Sequence, residues 1–122
     1  AAFLAFSRTP ADACVVEVGM GGRFDATNVL EPETLAACGI AALGLDHERF
    51  LLASEEGVPT EPMARIGFEK AGIAKEGVPL VTLWYQDYVH EAVAAQAERA
   101  GALLHDEGRH WHYGIGVGDR VG

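Results

Sequence analysis

The stretch from Val78 to Leu104 constrains the fold more than any other part of this chain. Val78 to Leu83 follows Gly77 and is an apolar run short enough for a strand. Asp87 then caps an amphipathic stretch, with Val89, Val93, Ala97 and Ala100 turned inward and Glu91 and Glu98 outward. Gly101 ends that helix, and Ala102 to Leu104 begins another strand. A strand, a helix and a strand in immediate succession favour parallel pairing with the helix laid on the sheet.

The upstream segments extend this pattern. Ala1 to Ser7 predicts the tail of a helix, stopped by Thr9-Pro10. Ala13 to Val18 is apolar apart from Glu17 and predicts a strand buried on both faces. Gly19-Met20-Gly21-Gly22 follows directly and marks a tight turn or a close backbone approach. Leu35 to Leu45 predicts a second strand, ending in Asp46-His47, and Glu48 to Pro59 predicts a loop. Thr60 is placed to cap a helix from Glu61 to about Ala71, with Pro62 in its first turn and Gly72 as a stop or kink. The predicted fold class is α/β: a layered, largely parallel sheet with flanking helices.

Charge limits the partners. The 122 residues carry a formal net charge of -9, which argues against a duplex nucleic-acid surface. A single phosphate held by backbone donors and a metal stays compatible with that balance. No apolar run is long enough to span a membrane, and the N-terminal residues lack the layout of a signal peptide, so the cytoplasm is the expected location. Cys14 and Cys38 lie in separate apolar runs and read as small buried thiols rather than a disulfide or a zinc site. His90 reads as a surface residue, and His105, His110 and His112 as local loop histidines rather than a metal cluster. Trp84 and Tyr85 are expected to cap the core.

Four places could carry chemistry. Glu17 is a carboxylate near the C-terminal end of a predicted buried strand, where α/β sheets bind ligands. It reads either as a locally paired acid or as a metal ligand. Asp46-His47 lies at the matching end of the next predicted strand, and Glu, Asp and His together suit a divalent ion that touches phosphate. Lys70 shares a helical stripe with Met63, Ile66 and Ile73, so it either snorkels near the helix end or is a functional, desolvated amine. The run Gly21-Gly22-Arg23-Phe24-Asp25-Ala26-Thr27-Asn28 could form a ligand wall, but it is not a phosphate loop, and no GxxxxGK[ST] pattern occurs in the chain.

Three of these segments carry a resemblance. Glu17 to Val29, Leu45-Asp46-His47, and Glu69 to Lys75 followed by Gly77-Val78-Pro79 resemble, in order, central-domain signatures of the folylpolyglutamate synthase/dihydrofolate synthase family of Mur-type ATP-dependent amide ligases. The resemblance implies that residues 1–122 are part of a central ATPase and magnesium domain, with an upstream phosphate loop and a C-terminal domain outside the chain. It implies a parent ligase that phosphorylates a carboxylate with ATP and joins L-glutamate to dihydropteroate or a folylpolyglutamate, within folate and one-carbon metabolism. Glu17, His47 and Lys70 would then be the catalytic and magnesium-binding residues, Glu17 and Lys70 on the nucleotide side, and Lys70 a carbamate formed with carbon dioxide. Arg23, Phe24 and Asp25 would line the pterin-bearing substrate. The implied partners are ATP, glutamate, a dihydropteroate or folate, and the remaining segments of the parent, with neither nucleic acid nor membrane among them.

Two departures accompany the resemblance. The chain alone is expected to be inactive without the phosphate loop. The interval from His47 to Lys70 is also longer than the family's, the surplus falling at Leu51 to Thr60, where it either lengthens a loop or reshapes the substrate mouth. Another Mur-type ligase shares the Glu, His and Lys arrangement, and a non-catalytic binding domain derived from the same fold is the competing class.

Overall fold

The computed structural model describes residues 2–44 and 55–114. Helix α1 spans Ala2–Arg8, and two short 3-10 turns, Ala26–Val29 and Pro32–Thr34, precede strand β1 at Cys38–Ile40. Helix α2 (Pro62–Ala71), strand β2 (Pro79–Thr82), helix α3 (Asp87–Ala100) and strand β3 (Leu103–Asp106) follow. The three strands form one parallel sheet in the order β1-β2-β3, with Cys38 opposite Leu80 and Leu80 opposite Leu104. This is the predicted α/β architecture. Parallel neighbours need a crossover, and α2 and α3 supply one for each strand pair.

Leu80 and Val93 are fully buried, one on the central strand and one on α3. Ile40, Ala71, Ala74, Tyr85, Val89 and Ala97 complete the cluster around them. The two helices also pack on each other, and Gly67 lets them approach. A Cβ on Gly67 would sit 3.1 Å from Val93 Cγ2 and 3.2 Å from Val89 Cγ1. Gly101 closes α3 in the left-handed conformation (φ 77°), as its sequence position predicts.

Several expectations are corrected. Ala13 to Val18 is not a strand: it pairs with no described strand, and Val15 is 97% exposed. An apolar run becomes a buried strand only where another element covers it, and among the described residues nothing does. Cys14 on the same run is therefore exposed, whereas Cys38 is half-buried and its thiol is pushed up by burial.

The second predicted strand is shorter than its apolar run, because the chain leaves the sheet after Ile40. There the Tyr85 hydroxyl lies 3.0 Å from the Ile40 carbonyl and 2.7 Å from that of Ala41. Burial pushes this phenol up to about 12, so it keeps the proton it donates. Tyr85 caps the core as expected, but Trp84 is 65% exposed and does not.

Helix caps shift by one residue. Glu61, not Thr60, caps α2, its carboxylate accepting the Ala64 N–H at 2.7 Å. Gln86 rather than Asp87 is the N-cap of α3, and Asp87 is its first helical residue. Asp87 still places a negative charge in the first turn, where the helix dipole favours it.

Leu80 is the best single test of this core. Leu80→Ala is expected to destabilise the protein by about 2–5 kcal/mol, since a fully enclosed site cannot collapse around the lost atoms. Urea unfolding followed by circular dichroism measures it; a loss under about 0.5 kcal/mol would mean the strand is not enclosed as described.

Candidate functional site

The glycine-led segment from Gly19 to Val29 and the last turn of α2 are built into one unit. Gly22 has φ 146° and no room for a side chain: a Cβ there would meet the Glu69 carbonyl at 2.7 Å and Lys70 Cα at 3.0 Å. Gly72 has ordinary helical angles, yet a Cβ would fall 2.5 Å from Arg23 Cβ. Of the tight turn or close approach expected of the Gly19-to-Gly22 run, Gly22 makes the close approach, to the turn that carries Lys70, and Gly72 stops α2 as its C-cap. Arg23 N–H donates to the Glu69 carbonyl at 2.8 Å, and Asn28 Nδ2 donates to the carbonyls of Arg23 and Gly72 at 3.0 and 3.1 Å. Lys75 Nζ donates to the Asn28 carbonyl at 2.9 Å, which gives the second of the chain's two lysines a structural task.

Charge reinforces the same contact. Arg23 reaches Glu69 twice, Nε to Oε2 at 3.0 Å and Nη2 to Oε1 at 2.9 Å. Arg65, one helical turn before Glu69, donates Nε to Oε1 at 3.0 Å. Glu55 accepts from Arg23 Nη2 at 2.9 Å and lies 3.5 Å from Arg65 Nη2. Arg65 and Glu69 are buried, Arg23 is half-buried and Glu55 is exposed, so two cations and two anions form a neutralised cluster that runs from the interior to the surface. Burial opposes the Arg23 charge, but its hydrogen bonds to Glu55 and Glu69 raise its pKa. The bond from Arg23 holds Glu55 below the usual carboxylate range.

Asp25 organises the segment from within. It accepts from the Thr27 hydroxyl at 2.6 Å, from Thr27 N–H at 3.0 Å and from Met20 N–H at 2.9 Å. Those donors, the Thr27 hydroxyl first, lower its pKa to about 2.

The predicted site residues divide accordingly. Arg23 and Asp25 are engaged with protein partners, whereas Phe24 is 80% exposed beneath the Arg23 guanidinium, 4.3 Å from its ring centre. Lys70 is half-buried in a helix otherwise buried on both sides of it; its carbonyl accepts from Ile73 N–H at 3.3 Å, and its side chain makes no hydrogen bond or ion pair with a described residue. Ile66 is buried on the predicted stripe, but α2 also buries Arg65 and Glu69 away from it, because the glycine segment covers a second face. Glu17 is exposed and lies in no described strand, rather than being held at a strand end. His47 lies outside the described residues, as do Asp46 and residues 51–54 of the longer interval. Of that interval, Glu55 joins the ion cluster.

Glu69, Arg65, Glu55 and Asn28 are the residues sequence reasoning passed over. The spacing of Arg65 and Glu69 was the available signal. Elsewhere, His90 is not a free surface residue: its Nδ1 lies 3.7 Å from the buried Asp106 carboxylate. His110 Nδ1 and Arg109 Nε approach the same carboxylate at 2.5 and 3.7 Å. Among the described residues no three His, Cys, Asp or Glu side chains converge to hold a metal ion.

Comparison with known proteins gives consistent relatives. No family model matches the chain. It is 44% identical to dihydrofolate synthetase of Saccharomyces cerevisiae over 104 residues, 84% of this chain and 22% of that protein. It is 39% identical to a folylpolyglutamate synthase of Arabidopsis thaliana over 99 residues, 81% of this chain and 15% of that protein. A crystal structure of the bifunctional folylpolyglutamate synthase/dihydrofolate synthase of Yersinia pestis, complexed with AMPPNP and a Mn ion, superposes with a TM-score of 0.70 at 30% identity, covering 93% of this chain and 24% of that one. The chain therefore spans about a quarter or less of the relatives it matches.

Two outcomes test the geometry. Gly22→Ala should detach the segment from α2, because both its φ and its space exclude a side chain; loss of the amide-exchange protection at Arg23 would register it. Asp25 has a folded pKa near 2 against an ordinary 3.8, so its contribution is present above about pH 4 and is lost as the pH falls through about 2. An NMR titration should show the Met20 and Thr27 amides moving together in that window, and in Asp25→Asn the movement should vanish.

Proposed function

Because this chain belongs to the folylpolyglutamate synthase/dihydrofolate synthase family, we propose that it is part of the central ATPase domain of a ligase that joins L-glutamate to a folate-type carboxylate. In the proposed reaction the γ-phosphoryl group of ATP passes to the substrate carboxylate, giving an acyl phosphate and ADP. The glutamate amine then attacks the acyl carbon, phosphate leaves, the amine loses a proton and an amide is formed. The acceptor is dihydropteroate, a folylpolyglutamate or both, as the differing names of the relatives suggest.

One observation carries this reading: the Glu17-to-Val29 signature is fastened to the turn that presents Lys70, so two motifs far apart in sequence meet in space. Lys70 is the proposed carbamate residue: its ammonium first loses a proton, and the neutral Nζ then bonds the carbon of carbon dioxide with release of a second proton. That turns a cation into an anion with two oxygen donors, a ligand type suited to Mg²⁺. Glu17 and His47 are the other proposed magnesium ligands. The described residues do not assemble a magnesium site by themselves, and Glu17 is exposed, so what is derived from this chain is the seating of Lys70. Phe24 is the exposed side chain of the segment and is proposed to meet the pterin-bearing substrate, with Arg23 and Asp25 shaping the wall behind it.

The intact parent should form ADP in a glutamate-dependent manner with dihydropteroate or tetrahydrofolate; no turnover with either acceptor would remove the ligase assignment. The chain of residues 1–122 alone should not, since it has no GxxxxGK[ST] pattern to grip phosphate. In the parent, Lys70→Ala should lower kcat by roughly 100-fold or more, with partial recovery on adding a short carboxylate such as formate. Intact-protein mass in bicarbonate should show one added carbon dioxide on the unaltered protein and none on the variant.

A further inference from the structure

We propose that Arg23 and Glu69 are a positioning pair that fixes the orientation of Lys70, so that Arg23 acts through the helix and not on the substrate. The proposal rests on reading Lys70 as the reactive lysine, and it reassigns a residue that the family resemblance places at the substrate.

The argument starts from how much of Arg23 is already used. Its Nε and Nη2 are committed to Glu69 and Glu55, and its guanidinium packs over the rings of Phe24 and Phe68 at 4.3 and 4.9 Å. Only 20% of the side chain is exposed. A planar fork satisfied on one edge and packed on aromatic rings has little left with which to grip a ligand.

The second step is what those contacts hold. Glu69 is gripped at both carboxylate oxygens by the Arg23 side chain and at its carbonyl by the Arg23 N–H. Gly22 lies against Lys70 Cα, and Asn28 holds the Gly72 carbonyl. Lys70 stands between residues fastened on either side. Rotation of the last turn of α2 about its axis would break the bidentate pair, so the pair sets the direction in which Lys70 leaves the helix. Arg65 donates to Glu69 Oε1, the same oxygen that Arg23 Nη2 reaches, and Glu55 offsets the second cation by pairing with both arginines.

The test uses the intact parent with Arg23→Ala, Glu69→Gln and the double variant. Each single change should lower kcat by roughly 10- to 100-fold while the KM for the folate acceptor stays within about 2-fold. The double variant should be no more than about 2-fold worse than the poorer single one, because both remove the same contact. Amide exchange at Ile73 and Ala74, just past Lys70, should accelerate by roughly 10-fold in each variant. A raised acceptor KM with unchanged kcat would make Arg23 a substrate contact and overturn the proposal, as would multiplicative losses in the double variant.

The exchange measurement needs no activity, so it separates the two readings. A parent that catalyses no ligation but shows faster exchange at Ile73 and Ala74 keeps the lock and loses the ligase. Unchanged exchange in Arg23→Ala sinks the lock whatever the enzyme does. Should Arg23→Ala fail to fold, Arg23→Lys serves instead: it keeps the charge but not the fork, and the same exchange increase is required of it.

Discussion

A carboxylate buried one residue before Lys70 loses its hydration, and cations at hydrogen-bonding distance must offset that loss. Glu69 is 7% exposed, and this requirement organises what surrounds it. Arg65 meets it from within the same helix, and Arg23 meets it from a segment far away in sequence. For Arg23 to arrive, its backbone must lie against the helix end, and that contact is possible only because residues 22 and 72 lack side chains. Electrostatic need and steric permission therefore converge on one seam.

Helix α2 is the common member of two interfaces. On one side Gly67 admits Val89 and Val93 of α3, tying the helix to the apolar layer over the sheet. On the other, the glycine segment covers its polar residues. A helix enclosed in this way cannot be read as a stripe of apolar residues with a wet opposite face, and its seven buried residues include both Arg65 and Glu69. The sheet below is small, three strands of three or four residues, so the helix pair contributes much of the enclosed surface.

The parts legible in the sequence were those whose signals are local. Helix α3 announces itself by period and by Gly101, and strands β2 and β3 by short apolar runs either side of it. The Gly19-to-Gly22 run signals a tight turn or a close approach; Gly22 makes the approach and Gly21 does not, and what Gly22 meets is not legible because the partner turn is remote in sequence. Arg65 and Glu69 have the spacing of an ordinary exposed helix pair, and nothing nearby in sequence reveals that a third charged residue buries them. Ala13 to Val18 was misread for the opposite reason: its apolar composition is a local signal, whereas its burial depends on neighbours. Strand β1 stops where the Tyr85 hydroxyl, from the loop after β2, meets the carbonyls of Ile40 and Ala41, a contact no periodicity encodes.

The fit of Arg23 against Gly72 has a consequence for how such a protein can vary. Because a Cβ at 72 would overlap the Arg23 main chain (Cα at 2.6 Å), no rotamer adjustment accommodates it. A substitution there is tolerable only together with a shift of the whole Gly19-to-Val29 segment. The two segments consequently form a single unit of inheritance: recombining one of them from a relative, without the other, would break the seam even where each piece is native to its own parent.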